Sequence, residues 1–249
     1  MVLVEWLGQV DYLQALDRQR SLVAERTASP DREDRLLLLE HPPTYTLGSS
    51  GDMRHLLVDE TTLTERGIAV YQGVGRGGDI TYHGPGQLVG YPILHLKRLY
   101  AGRGFARPDL HLYVREIETV ITQVLAQFGV SGWHYDGYPG VWVDTSSGPC
   151  KIAAIGVRVS SKGISSHGFA LNVNPDMRYF DHIVPCGIHQ HGVTSLTQLL
   201  GREMTVKDLL SLLVEAFRHV FQVEASPIVF REPTPGTQID VPRAACVES

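Results

Sequence analysis

Cysteine is scarce in this sequence. Only three cysteines, Cys150, Cys186 and Cys246, occur in 249 residues. A small, odd set of cysteines does not provide a disulfide framework, so we expect a reducing compartment. In such a compartment a functional cysteine is distinguished by its chemistry rather than by pairing.

Long apolar runs and a basic N-terminal region are also missing. Glu5 and Asp11 interrupt the apolar residues at the start, so residues 1–12 are unlike a signal peptide. The longest aliphatic run covers residues 36–39, which is far too short to span a bilayer and predicts a buried strand. We therefore predict a soluble cytoplasmic protein that does not act at a membrane.

The chain lacks a strong excess of either charge. It has 22 Lys and Arg against 27 Asp and Glu, a formal net charge of −5 with neutral histidine. A general nucleic-acid binder normally has a strongly basic balance, so no nucleic-acid partner is expected. With 43% hydrophobic and 20% charged residues the composition is that of a globular protein, which disfavours disordered, collagen-like and coiled-coil classes.

Hydrophobic periodicity predicts both helices and strands. The helices are predicted over residues 12–26, 109–128 and 205–222, and the strands over 36–40, 68–71, 80–83, 88–94, 151–159 and 167–173. Because the two kinds of element do not alternate strictly, the order favours an α+β fold. No flexible linker interrupts the pattern. We predict a single domain over residues 1–230 and a loosely ordered tail over 231–249.

A glycine cluster follows the strand predicted at 68–71. Residues 73–78 match the G-x-G-x-x-G pattern, but a strand follows them where a dinucleotide site requires a helix. The Lys-Ser/Thr ending of a Walker A motif is also absent. A tight turn and a ligand-binding loop both remain open, and the density of glycines around His83 favours the loop.

Cys186 and Lys151 are the candidate reactive residues. Cys186 lies between Pro185 and Gly187, on a turn that can present a thiol to a cleft. A nucleophilic cysteine needs a neighbouring base or cation. Lys151 opens an apolar segment and is either a strand-edge residue or a functional amine, and composition alone favours the strand edge.

A second cluster suggests a metal site only weakly. Its members are Asp181, His182, Cys186, His189 and His191. It lacks the second close pair of cysteines of a structural zinc site, so we expect no metal and interpret the histidines as turn and surface residues.

Several segments together resemble the lipoyl(octanoyl) transferases, also called lipoate-protein ligase B. They cover residues 41–48, 76–92, 140–142, 151–157, 167–173 and 185–188. The long stretch RGGDITYHGPGQLVGYP at 76–92 is the most specific of them, and all occur in the order of the family.

The resemblance implies a biotin/lipoate protein ligase-like α+β fold, with mixed, largely antiparallel sheets flanked by helices. It implies that Cys186 is the acyl-thioester nucleophile and that Lys151 helps to form its thiolate. The segments that match the substrate-binding stretches of the family contribute Arg76, Gly77, Gly78, Asp79, Ile80, Thr81, Tyr82, His83, Ala154, Ile155, Gly156, Gly168, Phe169 and Ala170.

The resemblance also implies a reaction and its partners. The donor is octanoyl-acyl carrier protein, and the acceptors are lipoyl domains of 2-oxoacid dehydrogenase complexes and the glycine cleavage H protein. No cofactor is expected, since a thioester donor needs no ATP. His83, or backbone N–H groups near Gly77, Gly78 or Gly187, are expected to bind the oxyanion. A basic patch around Arg76, Lys97, Arg98 or Arg158 is expected to dock the acidic partners.

Three other functions remain open from the sequence. One is an ATP-dependent lipoate or biotin ligase of the same fold, which would need an adenylate site and no essential cysteine. Another is a metal hydrolase that uses the cluster between His182 and His191. The third is a non-catalytic module that holds an acyl chain or a carrier protein.

Overall fold

The computed structural model describes residues 1–187, 190–231 and 245–246. Within these ranges the chain forms thirteen strands. They are β1 (Val2–Gln9), β2 (Asp34–Glu40), β3 (Thr44–Leu47), β4 (Ala69–Gln72), β5 (Ile80–His83), β6 (Gln87–Ile93), β7 (Trp133–Tyr135), β8 (Tyr138–Thr145), β9 (Gly148–Val159), β10 (Ser165–Asn172), β11 (Gly192–Val193), β12 (Val229–Phe230) and β13 (Ala245–Cys246).

The same ranges contain six α-helices and three 3-10 helical turns. The helices are α1 (Tyr12–Ala28), α2 (Glu60–Glu65), α3 (Leu96–Gly102), α4 (Leu110–Ala126), α5 (Leu196–Leu200) and α6 (Lys207–Phe221). The 3-10 turns are Met53–His55, Met177–His182 and Pro185–Gly187.

The long helices begin at residues that satisfy their free N–H groups. The Asp11 carboxylate accepts hydrogen bonds from the first turn of α1, and Asp109 does the same for α4. Ahead of α6, the Asp208 carboxylate accepts a bond of 2.8 Å from the backbone N–H of Thr205, which is one half of a capping box. Gly129 follows α4 with φ +73°, as expected for a residue that ends a helix.

Two sheets form the framework. The large sheet has the order β12-β1-β2-β6-β10-β9-β8-β7, with β11 paired to β9, and the small sheet has the order β13-β4-β3-β5. In the large sheet β1 runs parallel to β2 and β12, whereas β2, β6, β10, β9, β8 and β7 pair antiparallel in turn. The predicted α+β class with mixed, largely antiparallel sheets is confirmed.

The two faces of the large sheet are covered differently. On one face, α4 and α6 pack over the main core, which includes Ile117, Ile121, Leu213 and Phe217. On the other face, Ala15 of α1 packs with a smaller cluster of strand residues. The small sheet has a core of its own. Because α1 covers only part of this second face of the large sheet, space for a ligand remains between that face and the small sheet.

The three predicted helices are confirmed within two residues at each end. Four strands, β1, β3, β7 and β8, and the two-residue strands β11, β12 and β13 were not predicted, because their apolar residues lie in short or interrupted runs. Of the predicted tail, Arg231 and β13 are described, and β13 pairs parallel with β4. The rest of the tail lies outside the described residues. The division at residue 230 stays a prediction.

Candidate active site

A cavity of about 460 Å³, including its open mouth, lies where the two sheets face each other. Most of its wall comes from β5, β9, β10 and the glycine-rich loop that precedes β5. The lining residues are Tyr12, Arg76, Gly77, Gly78, Asp79, Thr81, His83, Tyr91, Ala154, Ile155, Gly156, His167, Gly168, Phe169, Ala170 and Cys186.

Small residues on β9 and β10 create the space. Ala154 is paired with Ala170, and Gly156 with Gly168, across neighbouring strands. At Gly156 a Cβ atom would lie 2.9 Å from the Gly77 carbonyl oxygen, so only glycine lets the loop approach this strand so closely. The small side chains of β9 and β10 therefore leave a narrow cavity with a largely apolar wall.

Arg76 places a buried positive charge in the wall. Its guanidinium donates to the Thr46 carbonyl at 2.5 Å, to the Thr46 hydroxyl at 2.9 Å and to the Gly77 carbonyl at 2.9 Å. Burial lowers the pKa of Arg76, and the attraction of Tyr12, then Cys186 and other nearby groups acts in the opposite direction. An arginine keeps its charge under such conditions, so Arg76 favours an anion in the cavity. Because it is buried, it does not belong to the expected docking patch.

His83 and His41 stay uncharged beside the cavity. Burial lowers the pKa of His41 to about 4 and that of His83 well below 6.5. In His83, Nδ1 lies 2.8 Å from the Gln87 Oε1, an oxygen that only accepts. Neutral His83 must therefore carry its proton on Nδ1 and leave Nε2 without one. This arrangement does not support His83 as a donor to an oxyanion.

Cys186 is held at the cavity in a strained backbone conformation. Its φ and ψ of 57° and 19° lie in the left-handed region, and Gly187 follows with φ +68°. For a residue with a side chain this conformation costs about 1–2 kcal/mol. Such strain persists where the surrounding structure enforces it, and it is common at functional sites.

His55 and Asp79 support the turn that carries Cys186. The His55 ring hydrogen-bonds the Asp79 carboxylate, and a Cβ atom on Gly187 would lie 2.7 Å from that carboxylate. The backbone of His55 also accepts a bond of 2.8 Å from Val184, just before the turn. Asp79 was predicted as a substrate residue, but both its carboxylate oxygens have protein partners. Nothing in the sequence around His55 indicates its role.

Lys151 lies outside the set of described residues that line the cavity. Its amine donates to the Pro139 carbonyl at 3.0 Å and lies 5.0 Å from the centre of the Trp142 ring. Trp142 alternates with the core residues Val141 and Val143, so its ring lies on the opposite face of the sheet, the face that bears the cavity. Lys151 is therefore on the same face as the cavity.

The chain segment that follows Cys186 leads back to Lys151. Strand β11 pairs with Cys150 and Lys151, and Thr194 donates to the Lys151 carbonyl at 3.0 Å. Between the cysteine turn and β11, Ile188 and His189 lie outside the described residues. The described part of this segment places Val193 and Thr194 beside Lys151.

Ile80 and Tyr82 do not line the cavity. They alternate along β5 with Thr81 and His83, which do, and their own side chains belong to the core of the small sheet. Because side chains in a strand alternate between two faces, only half of a strand can face a ligand. All twelve other predicted substrate residues belong to the lining.

The histidines of the predicted metal cluster have unrelated partners. His182 contacts the Tyr45 hydroxyl at 3.0 Å, whereas the His191 ring packs 5.3 Å from that of Trp142. His189 lies outside the described residues. Across the described part of the chain, no group of three or more His, Cys, Asp or Glu side chains could hold a metal ion. No helix there is long and apolar enough to span a bilayer.

Comparison with known proteins agrees with the fold and identifies the family. The family described as "Lipoyl protein ligase A/B catalytic domain" matches residues 11–218. An octanoyltransferase of Gloeobacter violaceus is 48% identical over 220 residues, which cover 88% of this chain and 90% of that one. An octanoyltransferase of Rubrobacter xylanophilus is 47% identical over 214 residues, which cover 86% and 90%.

Among solved structures, the bipartite lipoate protein ligase of Thermoplasma acidophilum has a TM-score of 0.63 at 15% identity, over 93% of this chain and 85% of that one. At this identity the likeness establishes the fold alone. The matches in sequence establish the family. The chain belongs to the lipoyl protein ligase A/B catalytic-domain family, among its octanoyltransferases, and is an acyltransferase.

Proposed function

We propose that this enzyme transfers an octanoyl group from the thioester of an acyl carrier protein to a lysine of a lipoyl domain, through a thioester on Cys186. The observation that carries the proposal is a thiol on a strained turn at a narrow, largely apolar cavity beside a buried arginine. The acceptors we propose are the lipoyl domains of 2-oxoacid dehydrogenase complexes and the glycine cleavage H protein. The reaction takes place in the cytoplasm, where the thiol stays reduced.

In the first step the Cys186 thiolate attacks the carbonyl carbon of the carrier thioester. The carbon–sulfur bond to the carrier breaks, the carrier leaves as a thiolate, and the octanoyl group remains on Cys186. The positive charge of Arg76 favours the thiolate and the oxyanion of the tetrahedral intermediate. Backbone N–H groups of the loop at Gly77 and Gly78 are candidates for further donors to that oxyanion.

In the second step the amine of the acceptor lysine attacks the thioester on Cys186. An amide forms, the carbon–sulfur bond breaks, and the thiolate of Cys186 is restored. The amine must lose a proton, and Lys151 is the proposed acceptor. Since a thioester is higher in free energy than an amide, the transfer needs no ATP.

Apolar burial supplies the affinity for the acyl chain. A buried methylene contributes about 0.8 kcal/mol, so an octanoyl chain gains roughly 5 kcal/mol in such a cavity. Ala154, Ala170 and the paired glycines form the surface along which the chain would lie.

Trapping the acyl-enzyme tests the nucleophile. Incubation with octanoyl-carrier protein in the absence of ATP should give a hydroxylamine-labile octanoyl adduct on Cys186, located by peptide mass spectrometry. Cys186→Ser should give no such adduct and no turnover. Cys150→Ser is the matched control, because Cys150 is buried outside the cavity lining, and it should react normally. Full turnover by Cys186→Ser would overturn the proposal.

A second experiment tests Lys151. Loss of a general base typically slows a reaction by about 10²–10⁴-fold, so Lys151→Ala should slow octanoyl transfer to the acceptor by that amount. The matched control is Lys162→Ala, which removes an exposed lysine of the loop between β9 and β10. Single-turnover measurements with preformed acyl-enzyme give the transfer rate directly. An unchanged rate in Lys151→Ala would contradict the role of Lys151.

A further inference from the structure

His167 lines the cavity near the end of β9 that is away from Lys151. It is paired with Val157 on β9, three residues beyond Ala154 and six beyond Lys151. A strand rises about 3.3 Å per residue, so the wall from Ala154 to His167 is about 10 Å long. An extended eight-carbon chain has a comparable length.

The backbone conformation of His167 accounts for the position of its ring at the cavity wall. Its φ of +54° is left-handed, which interrupts the regular alternation of β10. The ring lies 6.3 Å from that of Tyr91, which lines the cavity, and also hydrogen-bonds the backbone of Val74 on the other side. His167 is 3% exposed.

A second space begins behind this ring. It is a groove of about 1010 Å³, including its open mouth, between α1 and the ends of β9 and β10. Leu16, Val23, Ala24 and Val74 form its apolar wall, and Arg158 lies among its polar residues. Among the described residues, His167 alone belongs to the linings of both the cavity and the groove.

We infer that the His167 side chain is the end wall of the acyl cavity, and that it limits the acyl chain to about eight carbons by closing the way into the groove. The inference rests on the proposed octanoyl transfer and adds the residue that selects chain length. Without the imidazole ring, the cavity would continue into the groove, and longer saturated acyl chains would fit.

The charge state of His167 suits an end wall for an alkyl chain. Burial, with smaller effects from Arg76 and Arg158, lowers its pKa to about 3, so the ring is neutral at physiological pH. A neutral ring can lie against an alkyl chain at little cost, whereas a charged ring would lose its hydration beside the chain and be destabilised.

The test compares donor chain lengths in a variant without the ring. His167→Gly suits the left-handed backbone, so the strand should keep its conformation. The probes are octanoyl-, decanoyl- and dodecanoyl-carrier proteins, and the measurement is kcat/KM for each. One more buried methylene is worth about fourfold in affinity. We expect the ratio of dodecanoyl to octanoyl kcat/KM to rise at least about tenfold in the variant.

Two further variants make the result specific. His167→Asn also tolerates the left-handed backbone and has a shorter side chain, so it should shift the preference in the same direction. Adding Ala24→Trp to His167→Gly should fill the groove from its exposed side and reduce the gain for dodecanoyl. Ser166→Ala changes the groove without opening the wall and should keep the wild-type profile.

The outcomes separate this inference from the proposed function. Wild-type protein that forms no octanoyl-enzyme would overturn the proposed function. Wild-type protein that transfers octanoyl, together with folded His167→Gly and His167→Asn variants of unchanged chain-length profile, would overturn the role of His167 alone.

Discussion

Removal of the Asp79 carboxylate should destabilise the protein strongly, because three hydrogen bonds converge on it. One oxygen accepts from the backbone N–H groups of Ile80 at 2.7 Å and of Asp52 at 2.9 Å, and the other bonds the His55 ring. The Asp79 side chain is 9% exposed, whereas that of His55 is 26% exposed. In Asp79→Ala these donors lose their partner, and water reaches them only in part.

The expected loss is several kcal/mol. A hydrogen bond to a charged group contributes about 1.5–3 kcal/mol net. Counting the two bonds from backbone donors in full and discounting the partly exposed one to His55, we expect the unfolding free energy to fall by about 3–5 kcal/mol. For a chain of this size each kcal/mol lowers Tm by about 2–4 °C, so Tm should fall by about 10 °C. Asp79→Asn keeps an accepting oxygen and should lose about half as much.

Urea denaturation followed by fluorescence, together with calorimetry, measures both quantities. The matched control is Asp136→Ala, since the Asp136 side chain is 96% exposed and its nearest cation, on Arg115, is 3.9 Å away. That control should leave the urea midpoint unchanged. If Asp79→Ala unfolds at the wild-type midpoint, the hydrogen bonds described around the cysteine turn do not stabilise it.

Three further outcomes are expected. Because burial lowers the pKa of His41 to about 4, the unfolded chain binds a proton below pH 6.5 while the folded one does not, so stability should fall as the pH drops from about 6.5 to 4. The share of His41 is about 2 kcal/mol between pH 6.5 and 5. In His41→Gln, the unfolding free energy from urea denaturation should therefore fall by about 2 kcal/mol less over this pH range than in the wild type. Asp34→Ala should reduce the unfolding free energy by about 3–5 kcal/mol, since it leaves the buried Arg26 guanidinium without the carboxylate that it now contacts at 2.6 Å. An unchanged urea midpoint would contradict this. Gly156→Ala should lower kcat/KM for the octanoyl donor by roughly tenfold, because its methyl group would meet the Gly77 carbonyl at 2.9 Å; steady-state kinetics would reveal whether the loop moves aside instead.

The sequence was most informative where a single local pattern decides the structure. Helix α4 shows apolar residues at helical spacing between Asp109 and Gly129, so both its existence and its ends were predictable. Strand β1 was not predicted, although it pairs parallel with both β2 and β12. Its assignment depends on β2 and β12, which are distant in the sequence.

The same distinction holds at the site. The glycine loop and the small residues of β9 and β10 were predicted from contiguous segments, and they line the cavity. Tyr12, Tyr91 and His167 reach the cavity from an α-helix and two strands, and no spacing along the chain relates them. His55 was missed for a similar reason, since its role arises from contacts with Asp79 and Val184.

At Cys186 the left-handed backbone makes the residue that is best for stability different from the residue that is required for activity. Glycine adopts φ 57° without the penalty of about 1–2 kcal/mol that a Cβ atom brings, so glycine is the residue that heat resistance alone would favour there. Under the proposed mechanism that exchange removes the reacting thiol. A laboratory lineage selected only for thermal tolerance should therefore drift away from cysteine at this turn, and retention of the thiol requires selection for acyl transfer itself.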